Sequence, residues 1–245
     1  MTAEDGLGFQ DKATLHNATQ NITAYSLDIV KMLLENNSTA INAKDGYGMT
    51  PLHWAVENEH ESAIEIVRLL LEKGADVNEM DSEAKAPLDY AVQNYHESAI
   101  EMVRLLLEKG ADINQIDVCG PTPLCFAVQK EQESAPKMVR LLLEKGADIN
   151  PKNTYGVTPL HRAVENKHES ALEIVRLLLE KGADINQKDR DRRKPRDYAV
   201  ENEHESAKEM IRLLVQKEAD INLNVGKRSD NRKKNLGHKR KLSQV

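Results

Sequence analysis

The residues best suited to chemistry recur in step. His60, His96, His168 and His204 share one place in a repeating pattern, and His53 and His161 share another. Imidazole titrates near neutral pH and is the commonest protein metal ligand, so each set invites a catalytic or metal reading. However, one histidine per unit forms a ladder along a stack and does not converge on a point. The expected role of the first set is a buried or half-buried loop hydrogen bond. The two thiols, Cys119 and Cys125, have no metal-ligand spacing and cannot make a disulfide framework. Neither has an activating partner visible in sequence. A phosphate-cradling P-loop, a dinucleotide glycine fingerprint and a nucleophile elbow are all missing. The expectation is a chain with no catalytic residue, no cofactor and no metal.

The elements that position these residues follow from self-comparison. The string VRLLLEKGAD starts at Val67, Val103, Val139 and Val175, and a degraded copy, IRLLVQKEAD, starts at Ile211, each 36 residues after the last. Pro51, Pro87, Pro123, Pro159 and Pro195 keep the same step. A weaker unit precedes them, with LHNA from Leu15 answering LHWA from Leu52 and DIVKMLLE from Asp28 answering EIVRLLLE from Glu65. The reading is six units, at about 9–45, 46–81, 82–117, 118–153, 154–189 and 190–224, with 1–8 as an extension and 225–245 as a disordered basic tail.

Each unit reads as two short antiparallel helices. Pro51 suits a first helical turn, where its missing N–H is not needed. Leu52, Ala55 and Val56 place apolar groups at i, i+3 and i+4. Asn58, Asn94, Asn166 and Asn202 are expected to end this helix in a left-handed cap. Ser62 and Glu65 have the spacing of a capping box opening the second helix, repeated at Ser98 and Glu101, Ser170 and Glu173, and Ser206 and Glu209. Ile64, Val67, Leu70 and Leu71 form its expected buried stripe. Gly74, Gly110, Gly146 and Gly182 stop it, whereas Glu218 lacks that device. Glu65–Arg68 and Arg68–Glu72 are spaced for surface pairs within the helix, worth about 0.2–0.5 kcal/mol each. One such pair cannot bury its stripes alone, so the units must stack into an elongated solenoid.

Gly48-Met-Thr-Pro-Leu-His-Trp-Ala and Leu69 through Asn78, like Gly156-Val-Thr-Pro-Leu-His-Arg-Ala and Leu177 through Asn186, resemble the ankyrin repeat. The resemblance covers roughly residues 9–224 and implies an all-α, ankyrin-type solenoid of stacked helix-turn-helix repeats with short hairpin-like loops. The period departs from the usual ankyrin length of about 33, with three extra residues around Glu61–Ala63. The resemblance gives His53 and His161 a structural role, bonding between loops, and Cys125 replaces that histidine in the fourth unit. The third unit has Ala84, Ala86 and Asp89 where others have Gly, Thr and His, and the sixth has Arg192, Lys194 and Asp197. Both are expected to be less well buttressed, and Arg196 and Glu218 fit a polar end cap.

Proteins resembling ankyrins commonly meet a partner through hairpin tips and the inner-helix position after the Thr-Pro-Leu-His motif. Here the tips are Tyr47 and Met49; Glu83 and Lys85; Val118 and Cys119; Thr154 and Tyr155; and Arg190, Asp191 and Arg193. The inner-helix series is Trp54, Tyr90, Phe126, Arg162 and Tyr198. Aromatics and Arg are enriched at interface hot spots, and six of the chain's nine aromatics fall at these places. The inner-helix aromatics either face a partner or pack half-buried against the next unit. The implied function is a non-enzymatic protein-interaction scaffold or adaptor, expected to be monomeric.

Charge separates the body from the tail. Leu223 to Val245 holds eight Lys/Arg against one Asp, so residues 1–222 carry 26 basic and 39 acidic residues. An acidic body opposes nucleic-acid binding by the repeats, because phosphate contacts are mostly electrostatic. Lys227-Arg228, a ten-residue spacer and Lys239-Arg240-Lys241 resemble a bipartite nuclear-import signal, with Arg232, Lys233 and Lys234 adding charge between. This implies an import receptor as partner and a nuclear or nuclear and cytoplasmic location. The alternative is a generic basic tail, or a nucleic-acid-associated factor acting through it. Ser243 lies in a context resembling sites of basic-directed kinases. No apolar run approaches the roughly 20 residues that span a bilayer, and the N-terminus lacks a basic-then-apolar leader. The Asn-x-Ser/Thr matches at Asn17, Asn21, Asn36 and Asn37 matter only on a secreted chain, and an intracellular protein is expected.

Overall fold

In the computed structural model, residues 15–36, 41–118 and 120–222 are described. The expectations for 1–8, Cys119, Lys227, Arg228, Arg232–Lys234, Lys239–Lys241 and Ser243 lie outside them. Twelve helices form among the described residues, without a strand. They are α1 (15–20), α2 (Ser26–Asn36), α3 (Pro51–Glu57), α4 (Ala63–Glu72), α5 (Pro87–Gln93), α6 (Ala99–Glu108), α7 (Pro123–Gln129), α8 (Ala135–Glu144), α9 (Pro159–Glu165), α10 (Ala171–Glu180), α11 (Pro195–Glu201) and α12 (207–222). Odd-numbered inner helices pack on one another in sequence from α3 through α11, and α3, α5, α7 and α9 also meet their own outer helices α4, α6, α8 and α10.

The core is a row of repeated positions. Leu52, Leu88, Leu124 and Leu160 are at most 1% exposed, as are Leu70, Leu106, Leu142 and Leu178. One expectation changes here: Ile64 is only partly buried, whereas Ile66 and its counterparts Met102, Met138, Ile174 and Met210 are sealed. The outer helix therefore buries the position two residues after Ile64, just before Val67.

The helix ends are built across units. Pro51 and its counterparts occupy the first turn as expected. Gly74, Gly110, Gly146 and Gly182 adopt φ between +88° and +96°, where a side chain would be strained. With Glu218 in that place, α12 continues to residue 222. The asparagine caps differ from expectation. Asn58, Asn94, Asn166 and Asn202 are extended, with φ from -76° to -62°. Their amides are drawn outward instead: Nδ2 of Asn94, Asn166 and Asn202 donates to Val56 O, Val128 O and Val164 O at 2.7, 3.0 and 2.8 Å, one unit back.

The serine capping box is also absent. Ser62, Ser98, Ser170 and Ser206 precede their helices without the reciprocal bonds; Ser62 has helical dihedrals, φ -78° and ψ -5°. Histidine supplies the cap: Nδ1 of His60, His96, His168 and His204 accepts the N–H of the serine two residues on, at 3.0–3.3 Å. That matches the loop hydrogen-bonding role read from the ladder. Surface ion pairs likewise run between units, from Arg68 to Glu101 (3.7 Å), Arg140 to Glu173 (3.7 Å) and Arg176 to Glu209 (3.1 Å), while the expected pairing within a helix appears at Glu209 and Arg212 (3.8 Å).

Candidate protein-binding surface

Four hairpins are organised by their first acidic or amide residue, Asp45, Asp81, Asn153 and Asp189. Asp45 Oδ1 accepts Tyr47 N and Met49 N at 2.9 and 3.0 Å, and Asp81 Oδ1 accepts Glu83 N and Lys85 N at 2.8 and 2.9 Å. The free carboxylate oxygen then reaches the following inner helix. Asp45 Oδ2 accepts Trp54 Nε1–H at 2.9 Å, Asp81 Oδ2 accepts the Tyr90 hydroxyl at 2.5 Å, and Asp189 Oδ2 accepts that of Tyr198 at 2.6 Å. Burial, followed by this bond to a carboxylate, holds Tyr90 and Tyr198 protonated; Tyr198 is pushed up to about 12. In the fifth unit Asn153 replaces the acid, and Arg162 pairs with Glu165 at 2.9 Å.

The inner-helix series thus sits beside its own hairpins, forming one continuous edge. Trp54, Tyr90, Phe126, Arg162 and Tyr198 are all half-buried. Both packing and exposure hold for Tyr90, Phe126 and Tyr198: all three lie against the core, Tyr90 and Tyr198 meeting the buried His53 and His161 edge-on at ring-centroid distances of 5.7 and 5.3 Å, yet keep exposed surface. Tyr47, Val118 and Tyr155 stand 70%, 64% and 63% exposed at the tips. Glu83, Thr154, Arg190 and Asp191 are exposed too. Lys85 is half-buried, paired with Glu83 at 2.7 Å, and Arg193 pairs with Glu201 at 2.6 Å while its guanidinium lies over the Tyr198 ring. Met49 departs from its place in the series. Its side chain is 6% exposed, tucked under the hairpin like Val157, so the outward tip of that unit is Tyr47 alone.

Two exposed apolar residues flank the tips outside the series read from sequence. Met80 and Ile116 are 40% and 56% exposed, in a register otherwise held by Lys44, Lys152 and Lys188. The signal was available: an apolar residue in two units where the others keep a lysine.

His53 and His161 hold the hairpins in line. Nδ1 accepts Thr50 N and Thr158 N at 3.0 and 3.2 Å, and Nε2 reaches the next hairpin at Lys85 O and Arg193 O, both at 3.2 Å. Burial lowers both imidazoles from their ordinary value, keeping them neutral and able to donate from one nitrogen while accepting at the other. This is the loop-to-loop role that the motif implied. Cys125 is buried, and burial pushes its thiol up, away from the nucleophilic thiolate.

The third and sixth units keep their local frame despite their substitutions. Asp89 and Asp197 accept Ala86 N and Lys194 N at 2.9 and 2.8 Å, and Ala84 and Arg192 adopt φ of +58° and +63° where other hairpins use glycine. What they lack is the long arm of the imidazole. Near the opposite end of the inner helices, a cleft of about 260 Å³ is lined by Gln129, Glu131, Arg162, Glu165, Asn166 and Lys167. It falls below the roughly 300–1,000 Å³ usual for small-molecule sites, so the extended edge is the larger feature.

The family profile described as ankyrin repeats (3 copies) matches residues 15–117 and 99–189. An ankyrin repeat protein of Fowlpox virus (strain NVSL) is 47% identical over 57 residues, 23% of this chain and 10% of the viral protein. Alpha-latrocrustotoxin-Lt1a of Latrodectus tredecimguttatus is 45% identical over 51 residues, 21% of this chain and 3% of the toxin. Palmitoyltransferase akr1 of Schizosaccharomyces pombe is 48% identical over 52 residues, 21% of this chain and 8% of that enzyme. The alignments thus span at most a tenth of these relatives' length.

Proposed function

The chain belongs to the ankyrin-repeat family, and from that premise we propose that it is a non-enzymatic, monomeric scaffold that binds a partner protein along its hairpin tips and inner-helix edge. Ankyrin repeats generally mediate protein–protein interaction. The observation that carries the reading is the row of half-buried aromatics tied to the hairpin acids, with Tyr47, Val118 and Tyr155 standing outward beside it. A uniform framework presents different side chains in each unit, which is what selective recognition requires. None of the surrounding chemistry competes: the repeated histidines are engaged as caps and bridges, and the described residues hold no helix long and apolar enough to cross a membrane.

The test is affinity capture from cell extract with the full chain and with a Tyr47→Ser, Tyr155→Ser variant. Both tyrosines are mostly exposed, so the variant should melt like the parent. We expect the specifically captured proteins to fall at least several-fold. Equal recovery by both chains would remove the tips from the interface.

The basic tail supports a second element of the reading: nuclear import through Lys227, Arg228, Arg232–Lys234 and Lys239–Lys241, giving a nuclear or nuclear and cytoplasmic location. Eight cations against one acid in 23 residues suit an acidic import-receptor groove. Phosphate on Ser243 would add about -1.5 to -2 charge beside the second cluster and favour the cytoplasm. A full-length fluorescent fusion should accumulate in the nucleus, and one with Lys239, Arg240 and Lys241 changed to Ala should not. Identical distributions would end the import reading, and identical distributions of Ser243→Asp and Ser243→Ala would end the switch.

A further inference from the structure

One slot recurs at the start of every inner helix and decides how adjacent units are joined. His16, His53 and His161 fill it in the first, second and fifth units, and each ring reaches the next hairpin, with Nε2 at 3.1–3.2 Å from Met49 O, Lys85 O and Arg193 O. In the third unit the slot holds Asp89, which is 0% exposed. Its Oδ2 accepts Ala86 N, but Oδ1 is buried without a hydrogen-bond partner. An unsatisfied buried polar atom is rare in folded proteins and calls for an explanation.

The equivalent carbonyl in the next hairpin belongs to Pro121. It receives only a 3.4 Å bond from Asp117 N, where Lys85 O and Arg193 O receive 2.9 and 3.0 Å bonds from Asp81 and Asp189. Elsewhere the junction is bonded, by Val118 N to Glu83 O at 3.2 Å and Lys130 Nζ to Val92 O at 3.3 Å, but a carboxylate and a carbonyl are both acceptors, so the histidine bridge has no counterpart in this slot while Asp89 is ionised. The charged groups acting on it are Lys85 and Asp81, on the hairpin leading into α5, and Asp117, on the hairpin leading into α7. On the flanking inner helices, the same slot holds the neutral ring of His53 on α3 and the buried thiol of Cys125 on α7.

We propose that the junction between the third and fourth units is a proton-controlled seam: protonation of Asp89 gives this slot a donor, and ionisation leaves a buried anion whose Oδ1 is unpaired and which Asp117 opposes. Burial, with Asp117 adding to it, raises the Asp89 carboxyl to about 7. In the unfolded chain it titrates near its ordinary value of about 4. The folded state therefore holds the proton over that interval. The stability it contributes is fully present below about pH 4 and is lost as pH rises through about 7. The seam divides the stack into two three-unit halves and sets the spacing between the tips of the third and fourth units.

Asp89→Asn is the test variant, because its amide copies the neutral acid, with one acceptor and a permanent donor. Urea unfolding of the full chain should show wild type and variant alike only at or below about pH 4. At about pH 8 the wild-type folding constant should have dropped, relative to the variant, by about tenfold or more. Hydrogen exchange at the higher pH should place the extra opening of wild type in α5 and α7. Parallel pH profiles, or faster exchange spread evenly over all units, would overturn the seam. Carbon NMR of the Asp89 carboxyl in the wild-type chain gives an independent reading: a midpoint well above 5 supports it, and one near 4 overturns it.

Discussion

Leu106→Ala should destabilise the chain by about 2–5 kcal/mol, the range for a buried leucine whose surroundings close only partly around the cavity. Leu106 is 0% exposed and belongs to the row formed with Leu70 and Leu142 in the adjacent units. A stack of repeats has no remote core to compensate, because each unit is held by its own helix pair and its nearest neighbours. Truncation in the third unit should therefore weaken two interfaces at once and separate the melting of the halves. Urea titration followed by helix content should show a lower midpoint and a broadened or two-step transition. Leu213→Ala is the comparison: this residue of the terminal α12 is partly exposed, and its loss should be milder. An equal, single-step loss for both variants would mean that the stack does not behave as coupled units.

The second large effect concerns recognition. Replacing Trp54 and Tyr90 together with Ala should weaken a captured partner at least ten-fold, about 1.4 kcal/mol. Both side chains also hold their hairpins through Asp45 and Asp81, so lost affinity alone would not separate contact from support. Tyr90→Phe resolves this. It removes the hydroxyl and its bond while keeping the ring, and should cost about 0.5–1.5 kcal/mol of stability. If the ring meets the partner, affinity should hold in Tyr90→Phe and fall in Tyr90→Ala. A titration calorimetry series in which Tyr90→Phe loses as much affinity as Tyr90→Ala would make the hairpin frame, rather than the ring, the determinant.

What could be read from sequence was whatever repeats within a unit. Pro51 at a helix start, Leu52, Ala55 and Val56 in the core and Gly74 at a helix end stand where spacing placed them. Most of the departures involve a partner one unit away. Asn58 and Asn94 have the composition of a left-handed cap, but a carbonyl of the preceding unit draws their amides outward. Ser62 and Glu65 have capping-box spacing, yet His60 occupies the cap first and Glu101, the counterpart of Glu65, pairs with Arg68 of the unit before it. Met49 looked like a tip residue by numbering, but alternation along the hairpin turns it inward while Tyr47 turns out. The aromatic series itself was legible because its residues vary against a constant background. Its tethering to Asp45, Asp81 and Asp189 was not, since a separation of nine along the chain hides that contact.

Hydrogen exchange on the complex with a captured partner tests the central claim most directly. Binding along the hairpin edge should slow exchange at 45–49, 81–85, 153–157 and 189–193 and in α3, α5, α7, α9 and α11, leaving the outer helices α4, α6, α8 and α10 unchanged. Protection confined to those outer helices, with the hairpins and inner helices exchanging as in the free chain, would contradict it.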